Sequence, residues 1–122
     1  MKVAALLLGS VALLAGQGHE GDFVIRFEPA VVLQAQSGIP FQIRVLDDRH
    51  KPVINAKVTL QIETEQHTKV RVFDAASTEP GVYVAKPIFP SAGEWSVYVE
   101  VRRTGLMSAR TIDFNVPDAV SP

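Results

Sequence analysis

The 122-residue chain has no cysteine. That excludes disulfides, thiolate metal sites and thiol nucleophiles, so the fold must rest on an apolar core and ladder hydrogen bonds. Charge is sparse and balanced: 12 Lys and Arg stand against 13 Asp and Glu, and no like-charge run exceeds Asp47-Asp48 or Arg102-Arg103. Such scattered charge argues against nucleic acid or an anionic membrane surface as partner. No apolar run reaches the roughly 20 residues of a bilayer-spanning helix, so no integral membrane span is expected in the mature chain. Catalytic signatures are missing too. There is no Gly-x-Ser-x-Gly elbow and no phosphate-cradling glycine loop. Ser37, Ser77, Ser91, Ser96 and Ser108 have no evident base, and the acids form no pair. The expected class is not an enzyme.

What is present starts with a leader. Met1-Lys2 gives a positive start, and Val3 to Ala15 is uncharged and apolar apart from Gly9 and Ser10. This is the h-region of a secretory signal. Small residues one and three positions before the cut fit cleavage before His19, through Gly16 and Gly18. A cut after Ala15 has the better last residue but Leu13 three positions back, and a cut after Gly16 is also possible. The reading is a signal peptide over residues 1–18 and one domain over 19–122, with its core at about 23–116, exported to the periplasm or beyond. Losing Lys2 leaves 11 basic residues against 13 acidic ones.

Beyond the leader, apolar residues alternate with polar ones. Phe41, Ile43 and Val45 form one such series; Val58, Leu60 and Ile62 another. Val70 and Val72, then Trp95 to Val101, then Ile112 to Val116, repeat the pattern. Period-2 alternation is the signature of strands with one wet face. Turn signals between the runs, such as Asp47 to Pro52, Glu79-Pro80-Gly81 and Thr104-Gly105, recur at sandwich spacing. About seven strands are predicted, near 23–28, 40–47, 56–64, 68–75, 82–88, 94–103 and 109–116. Ala30 to Ala35 is a candidate short edge strand, with Val31-Val32-Leu33 open to a partner or closing the sandwich. The fold class is all-β, an immunoglobulin-like antiparallel sandwich.

Three segments carry a family resemblance: Asp48 to Val58 with its Pro52-Val53 and Ala56-Lys57-Val58, then Pro80-Gly81-Val82-Tyr83, then Phe89-Pro90-Ser91-Ala92-Gly93-Glu94-Trp95. Together they resemble the bacterial exported immunoglobulin-like domains of the YtkA-like and FixH-like kind. Gly81 and Gly93 suit positive φ ahead of a strand, Trp95 suits a core anchor, and Tyr83 suits a buried ring with its hydroxyl on backbone. His50 stands at or beside the usual turn glycine. The resemblance implies a fold more than a chemistry. It also implies a place near envelope metal transport and oxidase maturation, although Met107 is the only methionine left in the mature chain.

Candidate chemistry centres on His19. As a new N-terminus, its amine and imidazole could chelate Cu(II), similar to the N-terminal histidine of CopC-like copper proteins. A terminus at Gln17 would instead offer amine, two amides and imidazole in a plane. A solvated terminus that binds nothing is the alternative. His50, beside Asp47 and Asp48, and His67, at an expected hairpin tip, read more simply as loop residues. A polar face carrying Lys57, Lys69, Arg71, Tyr98, Glu100 and Arg102 could dock a protein. The expected role is a non-catalytic accessory or binding domain of the cell envelope, acting through loops or an edge strand on an envelope protein. The alternative is a periplasmic Cu(II)-binding protein; no other cofactor is expected.

Overall fold

The computed structural model describes residues 23–64, 66 and 69–119. Eight strands run in order: β1 (Val24–Pro29), β2 (Phe41–Leu46), β3 (Lys57–Thr64), β4 (Val70–Asp74), β5 (Ala76–Glu79), β6 (Val82–Ala85), β7 (Gly93–Arg103) and β8 (Leu106–Val116). They form two antiparallel four-stranded sheets, ordered β1-β2-β6-β5 and β4-β3-β7-β8. In immunoglobulin terms these are A-B-E-D and C′-C-F-G. The expected all-β sandwich is therefore present.

Alternation sets which side of each strand goes inside. Phe41, Ile43 and Val45 of β2 are fully buried, as are Leu60 and Ile62 of β3 and Val97, Val99 and Val101 of β7. Burying each such side chain is worth roughly 1.5–3 kcal/mol relative to leaving it exposed. Trp95 is the anchor expected: it is buried, its Nε1–H donates to the Ser91 carbonyl at 2.9 Å, and its ring meets Phe89 edge-on at 5.7 Å. Tyr83 also behaves as expected. Its hydroxyl donates to the Val53 carbonyl at 2.8 Å and accepts from the Ala56 N–H at 3.3 Å, fastening the β2–β3 connection to β6.

The structure corrects several sequence expectations. Among the described residues there are eight strands, where about seven were predicted. The unforeseen β5 is Ala-Ser-Thr-Glu and exposed throughout, so no apolar alternation announces it. Pairing with β6 holds it instead. Ala30 to Ala35 is not a strand. The backbone groups of this connection go to three separate places: Ala30 N–H to Pro40, Ala35 N–H to Pro117 and Gln36 N–H to Phe89. No single neighbour offers a ladder. The expected 82–88 strand ends at Ala85, and Pro87 beyond it has no N–H to give. β8 begins three residues early, because Thr104 and Gly105 both take positive φ (47° and 82°) and close a tight two-residue hairpin from Arg103 to Leu106.

β4 is turned over relative to expectation. Val70 and Val72 stand opposite Glu63 and Gln61 on the wet face and are 51% and 60% exposed. Arg71 and Phe73 take the inner side, opposite Ile62 and Leu60. One aromatic ring packed on the core outweighs two valines at the rim. An inward-pointing arginine on an edge strand also discourages pairing with another chain.

Both long sides of the sandwich are closed. On one side the chain passes from β4 in one sheet to β5 in the other through Ala75, whose N–H donates to the Val58 carbonyl. On the other, β8 reaches β1 with side chains. Ser108 Oγ accepts from the Phe23 N–H at 2.9 Å, and Arg110 Nη1 donates to the Ile25 carbonyl at 2.8 Å. β1 is an edge strand, so these groups have no ladder partner of their own on that side.

Gly81 is the tightest backbone site. Its φ is +76°, its carbonyl accepts from the Val45 N–H, and a Cβ there would lie 2.8 Å from Pro52 Cβ and 3.1 Å from the Val45 carbonyl oxygen. Gly105 also has positive φ (+82°), but a Cβ there meets nothing within 4 Å. Gly105→Ala is expected to cost about 1–2 kcal/mol from backbone strain alone. Gly81→Ala adds a clash and is expected to cost about 3 kcal/mol or more. Urea unfolding of the two variants checks the order; equal losses would contradict the close packing of Gly81 on Pro52.

Candidate functional site

The three histidines divide sharply. His19 and His67 lie outside the described residues. His50 is exposed, in the loop from β2 toward β3. That loop is built by Asp47. Its Oδ1 accepts from the N–H groups of Arg49 (2.8 Å) and Lys51 (2.9 Å), and its N–H donates to the Lys51 carbonyl. The His50 N–H donates back to the Asp47 carbonyl. The Lys51 N–H, with help from that of Arg49, holds the Asp47 carboxyl below its ordinary pKa. His50 has φ +63°, the left-handed position that closes a three-residue loop and that glycine usually fills. So His50 does occupy the turn-glycine position, and Asp47 serves the turn rather than the imidazole. Among the described residues, no three of His, Asp and Glu converge as metal ligands.

The polar face proposed from sequence is partly assembled. Lys57 of β3 and Tyr98, Glu100 and Arg102 of β7 share the outer side of one sheet, with Lys57 directly opposite Arg102. Arg71 is on the inner side, and Lys69 precedes β4. Along β7, Glu100 is held between two donors. Tyr98 Oη donates to its Oε1 at 3.0 Å, and Arg102 Nε donates to its Oε2 at 2.5 Å. The Arg102 bond leads in holding the Glu100 carboxyl below its ordinary range, with Tyr98 adding to it. Partial burial first, and then Glu100, push the Tyr98 hydroxyl up. Lys57 pairs with Asp74 at 3.7 Å. Internal partners thus occupy most of the charge on this face.

The opposite outer face differs. Arg26 of β1 and Arg44 of β2 are directly opposed in the ladder and both point outward. Like charges so placed destabilise a sheet. Among the described residues neither guanidinium has an ion pair or hydrogen bond. Two depressions share this pair. One, of about 540 Å³, continues past Glu28 and Gln42 to Arg110 at the β1–β8 seam. The other, of about 320 Å³, is apolar, walled by Val24, Leu46, Pro52 and Pro80 over Val82. Val82 stands opposite Arg44, on the outer face, yet is only 4% exposed. Nothing in the sequence marked these arginines. They sit 18 residues apart as ordinary polar members of two alternating runs. Only the strand register brings them together.

Fold and faces define a small immunoglobulin-like β-sandwich with one internally neutralised outer face and one open arginine-bearing face. A family model described as YtkA-like matches residues 18–100, more than half of the chain. The chain belongs to the YtkA-like family, as its turn and Gly-x-Trp motifs suggested. No curated protein matches the sequence.

A lowered Glu100 pKa stabilises the fold above the ordinary carboxylate range, and that contribution is lost as pH falls through the lowered value. Glu100→Gln is therefore expected to melt slightly below wild type at pH 7, the difference being small because Arg102 is largely exposed. The gap should close as pH falls below about 4. Thermal melts of both proteins from pH 7 to pH 3 test this; a gap unchanged by acid would remove Glu100 as its source.

Proposed function

We propose that this is a non-catalytic accessory domain, exported to the periplasm or cell envelope, that binds an envelope protein through loops at one end of the sandwich. The observation that carries the reading is the connection from β1 to β2. It leaves Val31 51% and Val32 85% exposed on a segment with no ladder. The neighbouring connection from β6 to β7 bridges to it at Gly38–Ile88 and adds Ile88, 48% exposed. Exposed apolar residues grouped on loops favour protein contact. Loops are preferred to an edge strand as the contact, because Arg71 faces inward on one edge and β8 side chains cap another. Export is supported by Lys2 and the apolar run from Val3 to Ala15.

A photo-crosslinking residue placed at Val32, in the protein expressed with its own leader, tests this reading. One adduct is expected in the envelope fraction, lost when the neighbouring Val31 is changed to Lys, and none from a crosslinker at Lys57. Retention of the chain in the cytoplasm, or equal crosslinking from both positions, would overturn the proposal.

A second reading is Cu(II) binding through an N-terminal His19 after cleavage, in the manner of CopC-like proteins. It is favoured by the Gly16-Gln17-Gly18-His19 sequence. Native mass spectrometry of the exported protein with one equivalent of Cu(II) decides it. A chain beginning at His19 or Gln17 that keeps one copper, lost in His19→Ala, is the expected result on this reading. Any other N-terminus, or copper retained by the variant, eliminates it.

A further inference from the structure

We propose that Arg26 and Arg44 form the head-group clamp of a binding site for a single-chain amphipathic oxyanion, a phosphate or carboxylate on a short alkyl tail. The proposal does not depend on the loop contact described above, because it concerns the outer face of the β1-β2-β6-β5 sheet.

Three observations converge. First, two guanidiniums face each other across neighbouring strands with no carboxylate neutralising them among the described residues. Glu28 lies diagonal to Arg44 and makes no ion pair with it. Glu79 is opposite Val82 on β5, two strands away from Arg44. An arginine pair left in this state costs stability unless something anionic bridges it, and the planar, forked donors of arginine suit phosphate and carboxylate oxygens. The contrast with Arg102 is informative: Glu100, two positions away on its own strand, pairs with it, whereas Glu28 at the same spacing from Arg26 makes no ion pair.

Second, the same two arginines rim an apolar recess. Its floor is Val82, outward-facing but 4% exposed, and its walls are Val24, Leu46, Pro52 and Pro80. About 320 Å³ is at the small end of the range for ligand pockets. An apolar recess beside paired guanidiniums selects an ion with a tail over a bare ion.

Third, the recess has a fixed frame. Leu46 bridges Pro52, the Val53 N–H donates to the Val45 carbonyl, and Gly81 packs directly on Pro52. Tyr83 fastens the same connection from beneath through the Val53 carbonyl. The walls therefore need little ordering when a ligand arrives, which limits the entropic cost of binding. Polypeptide and bilayer surfaces are poorer fits. The recess accepts one short chain, and the overall charge of the protein does not draw it to anionic membranes.

The test uses the full chain as purified from the exporting cell, with octyl phosphate kept monomeric as the probe. Calorimetry is expected to give saturable one-to-one binding. NMR shifts should map to the amides of Val24, Leu46 and Val82. Inorganic phosphate should bind at least about tenfold more weakly, the tail being the difference. Octyltrimethylammonium should not bind. Arg26→Gln and Arg44→Gln should each weaken octyl phosphate about tenfold or more, while melting no lower than wild type because the like-charge contact is relieved. The chain-length comparison needs no variant, so it stands even if one of them folds poorly. Equal binding of phosphate and octyl phosphate, binding only to anionic vesicles, shifts confined to other surfaces, or no binding at all would each overturn the proposal.

Discussion

With no covalent cross-link, the two sheets are held together by a line of aromatic rings. Trp95 of β7 meets Phe89, Phe89 meets Phe41 of β2 at 6.3 Å, and Phe41 meets Phe114 of β8 edge-on at 5.5 Å. Phe27 of β1 closes the set against both Phe41 and Phe114 at 6.4 Å. The line starts in one sheet, passes through a connection and the second sheet, and returns to the first. Tilted and edge-on contacts of this kind add to plain area burial. Each ring belongs to a different element, so their joint packing specifies how the sheets stack as well as how strongly. Apart from Tyr83, the remaining buried core is aliphatic and fits around them.

The outer surfaces follow from that stacking. Once inner positions are assigned, strand register decides which polar residues become neighbours. On β7 it leaves an acid between two donors, and the face is quiet. On β1 and β2 it places two arginines together beside an apolar recess. The turns that frame this recess are among the most constrained parts of the backbone. Gly81 is pressed against Pro52, and His50 sits in a left-handed position held by Asp47. A region that is geometrically rigid and electrostatically unsatisfied differs from ordinary wet surface, where stability and local charge balance usually agree.

Most of the fold was legible in the sequence because alternation and turn chemistry are local. Phe41-Ile43-Val45, the Gly-x-Tyr and Gly-x-Trp motifs and the buried Trp95 each express a rule acting over a few residues. β5 was invisible because Ala76 to Glu79 has no apolar periodicity; the neighbouring strand confers its structure. β4 was read on the wrong face because Val70 and Val72 suggested an inner side, and only the competition with Phe73 for the core reverses it. The arginine pair was illegible for a deeper reason. Arg26 and Arg44 acquire meaning from a long-range pairing, and no spacing within the chain encodes that contact. The histidines, conspicuous in sequence, contributed a turn at His50, while His19 and His67 fall outside the described residues.

The seam between β1 and β8 carries a temporal consequence. Phe23 to Ser108 and Ile25 to Arg110 both span 85 residues, so the two strands lie alongside in parallel with a constant offset. A chain emerging N-terminus first can pair β1 with β2 early, but it cannot close this side until the final hairpin arrives. Until then one flank of the sandwich stays unlatched. Because the latch is made by side chains, the flank can also reopen without dismantling a backbone ladder. The last strand to be made thereby governs the freedom of the first.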